Sequence, residues 1–377
     1  MNKEQFKKIS HCGGKLTITI KVDQCGNRSY QQGWNSSNPV PASLCALYSL
    51  PQGIPVCFTA IKGMGISFDP PPIPGCILLF LYSDSHGMYG QECPKCNRYW
   101  RTHSHSVKQC PYCAFKDPKQ MFFTKAQGQF IKKYLEELDK ASEVPANGET
   151  YEHVIDLDEL ANQAEENFEG IYYTEESQQN KFKCSNCSEI NDIIGKFGYC
   201  SSCGLRNDLD EFKKRLQTIR ENINDKHKYE DSLQDLVSEV DSLIGRYAKQ
   251  IVNRIPMIKK REGYFNERKR FHDIAQARNK IFEALGVDIY TNIDEQNQNF
   301  CRVKFLRRHV YEHLSGEADV KYISESGDNV RLKQTLNETQ EDVNKLADLC
   351  LKIITNFHDG FHEIFPPLDK NTTGLFK

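Results

Sequence analysis

A chain of 377 residues, 38% apolar and 27% charged with a mean hydropathy of −0.63, is long enough to bury two or three cores and too polar for a membrane protein. Its 49 basic and 51 acidic side chains leave a formal charge of −2, so any affinity for nucleic acid has to come from local patches. The longest apolar run, Cys76 to Tyr82, is too short to cross a bilayer, and the first ten residues carry no apolar signal region, so a cytoplasmic protein is expected.

Residues 1–90 read as a β-rich domain of unknown role. Leu16 to Val22 alternates at period two, and the proline run Pro70-Pro71-Pro72-Ile73-Pro74 suits an extended connector ahead of a strand at Cys76 to Tyr82. His11, Cys12, Cys25, Cys45 and Cys57 match no ligand spacing.

The cysteines carry the first chemistry. Eight of the fifteen fall in four Cys-x2-Cys pairs: Cys93 and Cys96, Cys110 and Cys113, Cys184 and Cys187, Cys200 and Cys203. Each such turn lets two thiolates converge on one cation, and two turns complete a tetrahedral shell with no open position. Sequential pairing gives one zinc ribbon at 91–118 and a second at 181–206, holding two structural zinc ions. The remaining cysteines, scattered singly, behave as small buried hydrophobes. Within the first ribbon, Tyr99-Trp100-Arg101-Thr102-His103-Ser104-His105 has two readings. Trp100 and Arg101 stack on bases and contact phosphate, or Trp100 packs the ribbon against its neighbour.

Residues 119–180 read as a helical acidic connector. Phe130, Ile131, Tyr134, Leu135 and Leu138 mark a helix from Thr124 to Ala141, and a shorter one is expected around Asp158 to Phe168. The fourteen acids and one lysine between Glu136 and Glu176 are either a solvated face or an internal mimic of nucleic acid.

Residues 207–377 read as an all-α bundle, with helices expected over Asp210 to Tyr247, Asn266 to Leu285, Gln296 to Leu314 and Glu338 to Phe365. The stretch Lys259 to Lys280 holds eight basic and three acidic residues; within it Arg268, Lys269 and Arg270 bind phosphate or form a solvated face. Near residue 310, Val303, Leu306, Val310 and Leu314 form a core stripe, and Arg302, Phe305, His309 and His313 form a second stripe beside it. His309 and His313, at i and i+4, are alternatively surface residues or a minor metal pair, with Arg308 bridged to Glu312. His358 and His362 repeat that spacing, as a metal pair, a cleft lining or a polar stripe.

Arg308-His309-Val310-Tyr311-Glu312-His313 resembles the Arg-x4-His motif of the HEPN (higher eukaryotes and prokaryotes nucleotide-binding) superfamily, including its preference for a polar residue after the arginine. The resemblance covers roughly 209–377, and the paired ribbons upstream are similar to those of uncharacterised bacterial proteins. It implies a metal-independent endoribonuclease of the toxin or phage-defence type, acting as a homodimer that pools two motifs. His313 is then the acid or base, Arg308 steadies the phosphoryl oxygens and His309 orients the partner or the scissile phosphate. Arg302 joins the nucleic-acid contacts. On a straight helix Arg308 and His313 stand about 140° apart, which argues for a site composed across a twofold axis. A non-catalytic nucleic-acid-binding or adaptor protein and a nucleotide-sensing regulator are the rivals, and a regulatory protein or nucleic-acid trigger is a further expected partner. No phosphate loop of the Walker type and no Gly-x-Ser-x-Gly elbow occurs.

Overall fold

The computed structural model describes residues 9, 13–37, 43–59, 68–105, 107–117, 121–143, 145–165, 178, 180–265, 271 and 273–368. The chain divides into two compact units, Met1–Arg206 with Leu368–Lys377, and Asn207–Pro367. It is mixed α+β, with small antiparallel sheets in the first unit and helices dominating the second.

The first unit opens with β1 (Lys15–Val22), whose Leu16, Ile18, Ile20 and Val22 are buried while Lys15 and Lys21 face water. That alternation places one face of the strand on a core, where each aliphatic side chain contributes about 1.5–3 kcal/mol. β1 lies between the edge strands β2 (Arg28–Asn35) and β8 (Thr150–Asp156). A second antiparallel sheet has β3 (Leu44–Ser49) between β4 (Pro55–Thr59) and β5 (Ile77–Tyr82). Both sheets share their core with α1 (Lys125–Lys140) and α2 (Leu157–Glu165), through Phe130, Ile131, Tyr134, Leu157 and Ala161. The acidic connector expected over 119–180 is therefore, where described, part of the amino-terminal core. Thr124 starts α1 with a reciprocal cap: its hydroxyl accepts from the Gln127 N–H at 3.1 Å, and the Gln127 side chain accepts from the Thr124 N–H at 2.9 Å. The residues 166–176 of the acidic stretch lie outside the described residues.

The two ribbons are one sheet. β6 (Tyr89–Glu92) and β7 (Tyr99–Thr102) form the first hairpin, β9 (Asn180–Lys183) and β10 (Ile190–Ile193) the second, and β7 pairs antiparallel with β10 to give the order β6-β7-β10-β9. The halves are related by an approximate twofold axis at Arg101 and Asp192, which face each other in register. Reciprocal hydrogen bonds obey the same symmetry: Gln109 N–H donates to Ser201 O at 3.1 Å and Tyr199 N–H to Pro111 O at 2.8 Å. Gly198 permits this approach, since a Cβ there would sit 2.9 Å from Ile193 Cδ1 and 3.2 Å from Pro111 O.

In the second unit α3 (Asp208–Asn224), α4 (Tyr229–Arg254) and α9 (Gln340–Ile364) pack together. The single helix expected from Asp210 is interrupted at 225–228, where His227 adopts a left-handed φ of 53°. α4 buries Leu233, Leu236, Val237, Val240, Leu243, Ile244 and Tyr247, the three- and four-residue spacing of one helical face. α9 answers with Leu346, Cys350, Ile353, Ile354, Phe357 and Phe361. A short turn α5 (Lys259–Glu262) and the helix α6 (Ile274–Leu285) lead to α7 (Glu295–His313), which packs mainly on α4, and to α8 (Val320–Ser326).

Candidate metal centres and an arginine-histidine site

Cys93, Cys96, Cys110 and Cys113 gather their sulfurs within 4.8 Å of one another, and so do Cys184, Cys187, Cys200 and Cys203. The Sγ separations are 3.7 Å for Cys93–Cys113 and for Cys96–Cys110, 3.6 Å for Cys184–Cys203 and 3.5 Å for Cys187–Cys200. A tetrahedron of thiolates about 2.3 Å from a central cation has edges of about 3.8 Å, so these spacings fit one metal ion in each set and exclude disulfides. All four turns are built alike. In each, the first cysteine's carbonyl accepts from the N–H four residues on: Asn97, Ala114, Ser188 and Gly204, at 2.8–3.0 Å. Each of those four residues is left-handed, with φ between 52° and 88°. Three of them are not glycine and carry a cost of about 1–2 kcal/mol each, strain that four converging ligands can hold. Where protons take the place of a cation the first set is uneven: burial pushes the Cys93 thiol up, whereas the neighbouring thiols hold Cys113 below the ordinary value. Cation uptake therefore releases protons. Four thiolates leave no coordination position for a substrate, so both sites are closed.

The packing reading of Trp100 is the one the structure shows, and neither Trp100 nor Arg101 offers a surface to nucleic acid. Both are fully buried. Trp100 lies edge-on to Phe122 with ring centres 5.2 Å apart. Arg101 donates to Asp192 Oδ2 from Nε at 2.9 Å and from Nη2 at 2.6 Å, and pairs with Asp84 through Nη1. The partners come from far along the chain, so no local pattern announced them. His105 leaves the expected tip as well and packs against Phe58 and Tyr89, where burial lowers its pKa to about 4.

α7 starts at Asp294, whose carboxylate accepts from the Asn297 N–H, and stops at Leu314, followed by left-handed Ser315 and Gly316. Its buried face differs from the expected stripe. Cys301, Lys304, Phe305 and Val310 are buried, whereas Val303 is half-buried. Lys304 enters the interior because Glu338 and Asp342 meet its Nζ at 2.5 and 2.8 Å. Arg307 is drawn in likewise, by Glu338 at 3.0 Å, Asp328 at 2.5 Å and the Tyr322 hydroxyl at 3.1 Å. Burial opposes its charge, yet Asp328 and Glu338 hold its pKa above the ordinary value. Sequence reading missed this network, whose acids lie more than twenty residues downstream. Arg302 caps α8, donating to the carbonyls of Glu325 and Ser326.

Around the last turn Arg308 is half-buried, and the histidines and Glu312 are on the surface. His309 and His313 are exposed, with ring centres 4.7 Å apart. Arg308 Nη2 lies 3.0 Å from Glu312 Oε2, and the same oxygen lies 3.5 Å from His313 Nε2. Both side chains thus reach one carboxylate oxygen of their own helix, although their Cα positions stand about 140° apart. His358 and His362 are buried, with the Tyr247 hydroxyl 2.6 Å from His358 Nδ1 and the Phe365 carbonyl 3.1 Å from His362 Nδ1. No metal cluster includes them among the described residues. Arg268, Lys269, Arg270, His11 and Cys12 lie outside the described residues. No family model matches this chain, and neither a curated protein nor a solved structure does. No helix among the described residues is long and apolar enough to cross a membrane.

Proposed function

We propose that this protein is a metal-independent endoribonuclease of the HEPN type, carrying two structural zinc ions that shape its ribbon sheet. The observation that carries the reading is the sorting of charge on α7. Lys304 and Arg307 are consumed by the acids Glu338, Asp342 and Asp328 of later segments, while Arg308 is bridged only within its own helix, to Glu312, on the last turn where His309 and His313 are exposed. Chemistry on RNA needs that set. Attack of a 2′-hydroxyl on the adjacent phosphorus forms a 2′,3′-cyclic phosphate and breaks the bond to the 5′-oxygen. One imidazole takes the hydroxyl proton, a second returns a proton to the leaving oxygen, and a guanidinium neutralises the charge gathering on phosphorus. In the assembly proposed, two copies face each other across a twofold axis in the second unit, so His313 of one protomer serves as base and that of its partner as acid. Arg308 binds the phosphoryl oxygens and His309 orients them. The closed cysteine sites take no part in the reaction, and zinc suits a four-thiolate tetrahedron. A cytoplasmic defence or toxin role, restrained by a regulatory partner or nucleic-acid trigger, follows from such an activity.

The test is cleavage of RNA in excess chelator by protein that retains its zinc. Wild type should cut RNA to products ending in a 2′,3′-cyclic phosphate and leave DNA intact, since DNA lacks the attacking hydroxyl. His313→Ala should lose activity by ~10²–10⁴-fold, with Arg308→Ala close behind. Cutting at a 2′-deoxy position, or undiminished activity in His313→Ala, overturns the proposal. A folded wild type that binds RNA and never cuts it transfers the case to the non-catalytic adaptor.

A further inference from the structure

The last turn of α7 already holds an anion. Glu312 Oε2 stands 3.0 Å from the Arg308 guanidinium and 3.5 Å from His313 Nε2, so one carboxylate oxygen meets the two groups that the ribonuclease reading assigns to the phosphate. Arg308 keeps only 16% of its side chain exposed, whereas Glu312 keeps 36% and His313 51%, so the carboxylate is more open to solvent than the arginine it meets. The other lysine and arginines of α7 are engaged elsewhere. Lys304 and Arg307 are committed to Glu338, Asp342 and Asp328, and Arg302 to the end of α8. A phosphoryl oxygen is the same kind of ligand as a carboxylate oxygen, an anionic acceptor for guanidinium and imidazole.

We propose that Glu312 is a built-in phosphate surrogate: it occupies the seat of a phosphoryl group between Arg308 and His313 and is displaced when a phosphate monoester or diester binds. The proposal rests on the ribonuclease reading for its substrate but not for its geometry. It makes Glu312 a gating residue that weakens the capture of isolated phosphate and favours ligands able to evict it, such as a chain whose neighbouring phosphates are held elsewhere. It also places a complete phosphate seat within one protomer, so binding of a single phosphate does not wait for the association of two copies. An exposed carboxylate in this position is worth little in free energy, because solvent screens it and the side chain is free to swing away. The expected effect of removing its charge is accordingly modest and measurable.

The experiment titrates inorganic phosphate into full-length protein carrying ¹³C-labelled histidine, at fixed ionic strength, and follows the His313 ring resonance. Glu312→Gln, which keeps the shape and removes the charge, should bind phosphate about two- to fivefold more tightly than wild type. The affinity should not change with protein concentration. Arg308→Ala should abolish the response at His313, with helix content unchanged. Equal or weaker phosphate binding in Glu312→Gln overturns the surrogate, as does a response that survives in Arg308→Ala. An RNA cleavage assay run in parallel separates the two readings. Cleavage without the gain in Glu312→Gln defeats the surrogate alone, and the gain without cleavage defeats the ribonuclease alone.

Discussion

Replacing Glu338 with alanine removes the hub of the ionic cluster that fastens α7. Glu338 is fully buried and receives Lys304 at 2.5 Å, Arg307 at 3.0 Å and the Tyr311 hydroxyl at 2.9 Å, while its own N–H donates to Glu230 at 3.0 Å. Breaking one side of a buried pair costs about 3–5 kcal/mol, because the remaining charge stays desolvated. Lys304 keeps Asp342 and Arg307 keeps Asp328, so the loss belongs at the lower end, about 3 kcal/mol, or a fall of roughly 6–12 °C in the melting of a unit this size. Thermal and urea unfolding followed by the helical circular dichroism signal reads both quantities. The double replacement Lys304→Met with Glu338→Met leaves no orphan ammonium and should recover at least half of the loss. Should Glu338→Ala melt within ~0.5 kcal/mol of wild type, or the double variant prove worse than the summed singles, the cluster does not hold the helix.

Two further outcomes follow from the first unit. Elemental analysis should find two zinc ions per chain, and stripping them should unfold the sheet β6-β7-β10-β9 while the helices of the second unit survive, as hydrogen exchange would reveal; fewer than two ions removes the paired ribbons. His105 titrates near 6.5 when unfolded and near 4 when folded, so nothing changes above pH 6.5. Between 6.5 and 4 only the unfolded chain takes the proton, and stability falls with pH by up to about 3 kcal/mol. Unfolding midpoints at pH 7.5 and 4.5 should therefore diverge less in His105→Leu than in wild type, and an identical pH slope in both refutes the assignment.

The parts of this molecule that announce themselves in sequence are those whose cause is local. The alternation of Leu16, Ile18, Ile20 and Val22, the cap formed by Thr124 and Gln127, and the four cysteine turns each lie within a few residues. What stayed hidden is set by distant partners. Trp100 and Arg101 look like a surface tip until Asp84 and Asp192 supply the counter-charges, and Lys304 looks solvent-facing until Glu338 arrives from a later segment. The repeat that joins the ribbons was visible in principle, since Cys93 to Cys184 and Cys110 to Cys200 span nearly equal intervals, but neither interval says that β7 and β10 share hydrogen bonds. On α7 the motif was legible and the convergence of Arg308 and His313 on one oxygen was not, because a helical wheel records Cα angles and omits side-chain length.

The pairing of β7 with β10 also imposes a timetable on the nascent chain. Asp192 leaves the ribosome 91 residues after Arg101, which at ~5–20 residues per second is an interval of roughly 5 to 20 s. During that interval the first hairpin owns only half its sheet, and Arg101 has Asp84 but not yet Asp192. A cation taken up by Cys93, Cys96, Cys110 and Cys113 as they emerge would hold that half in shape until its counterpart is synthesised.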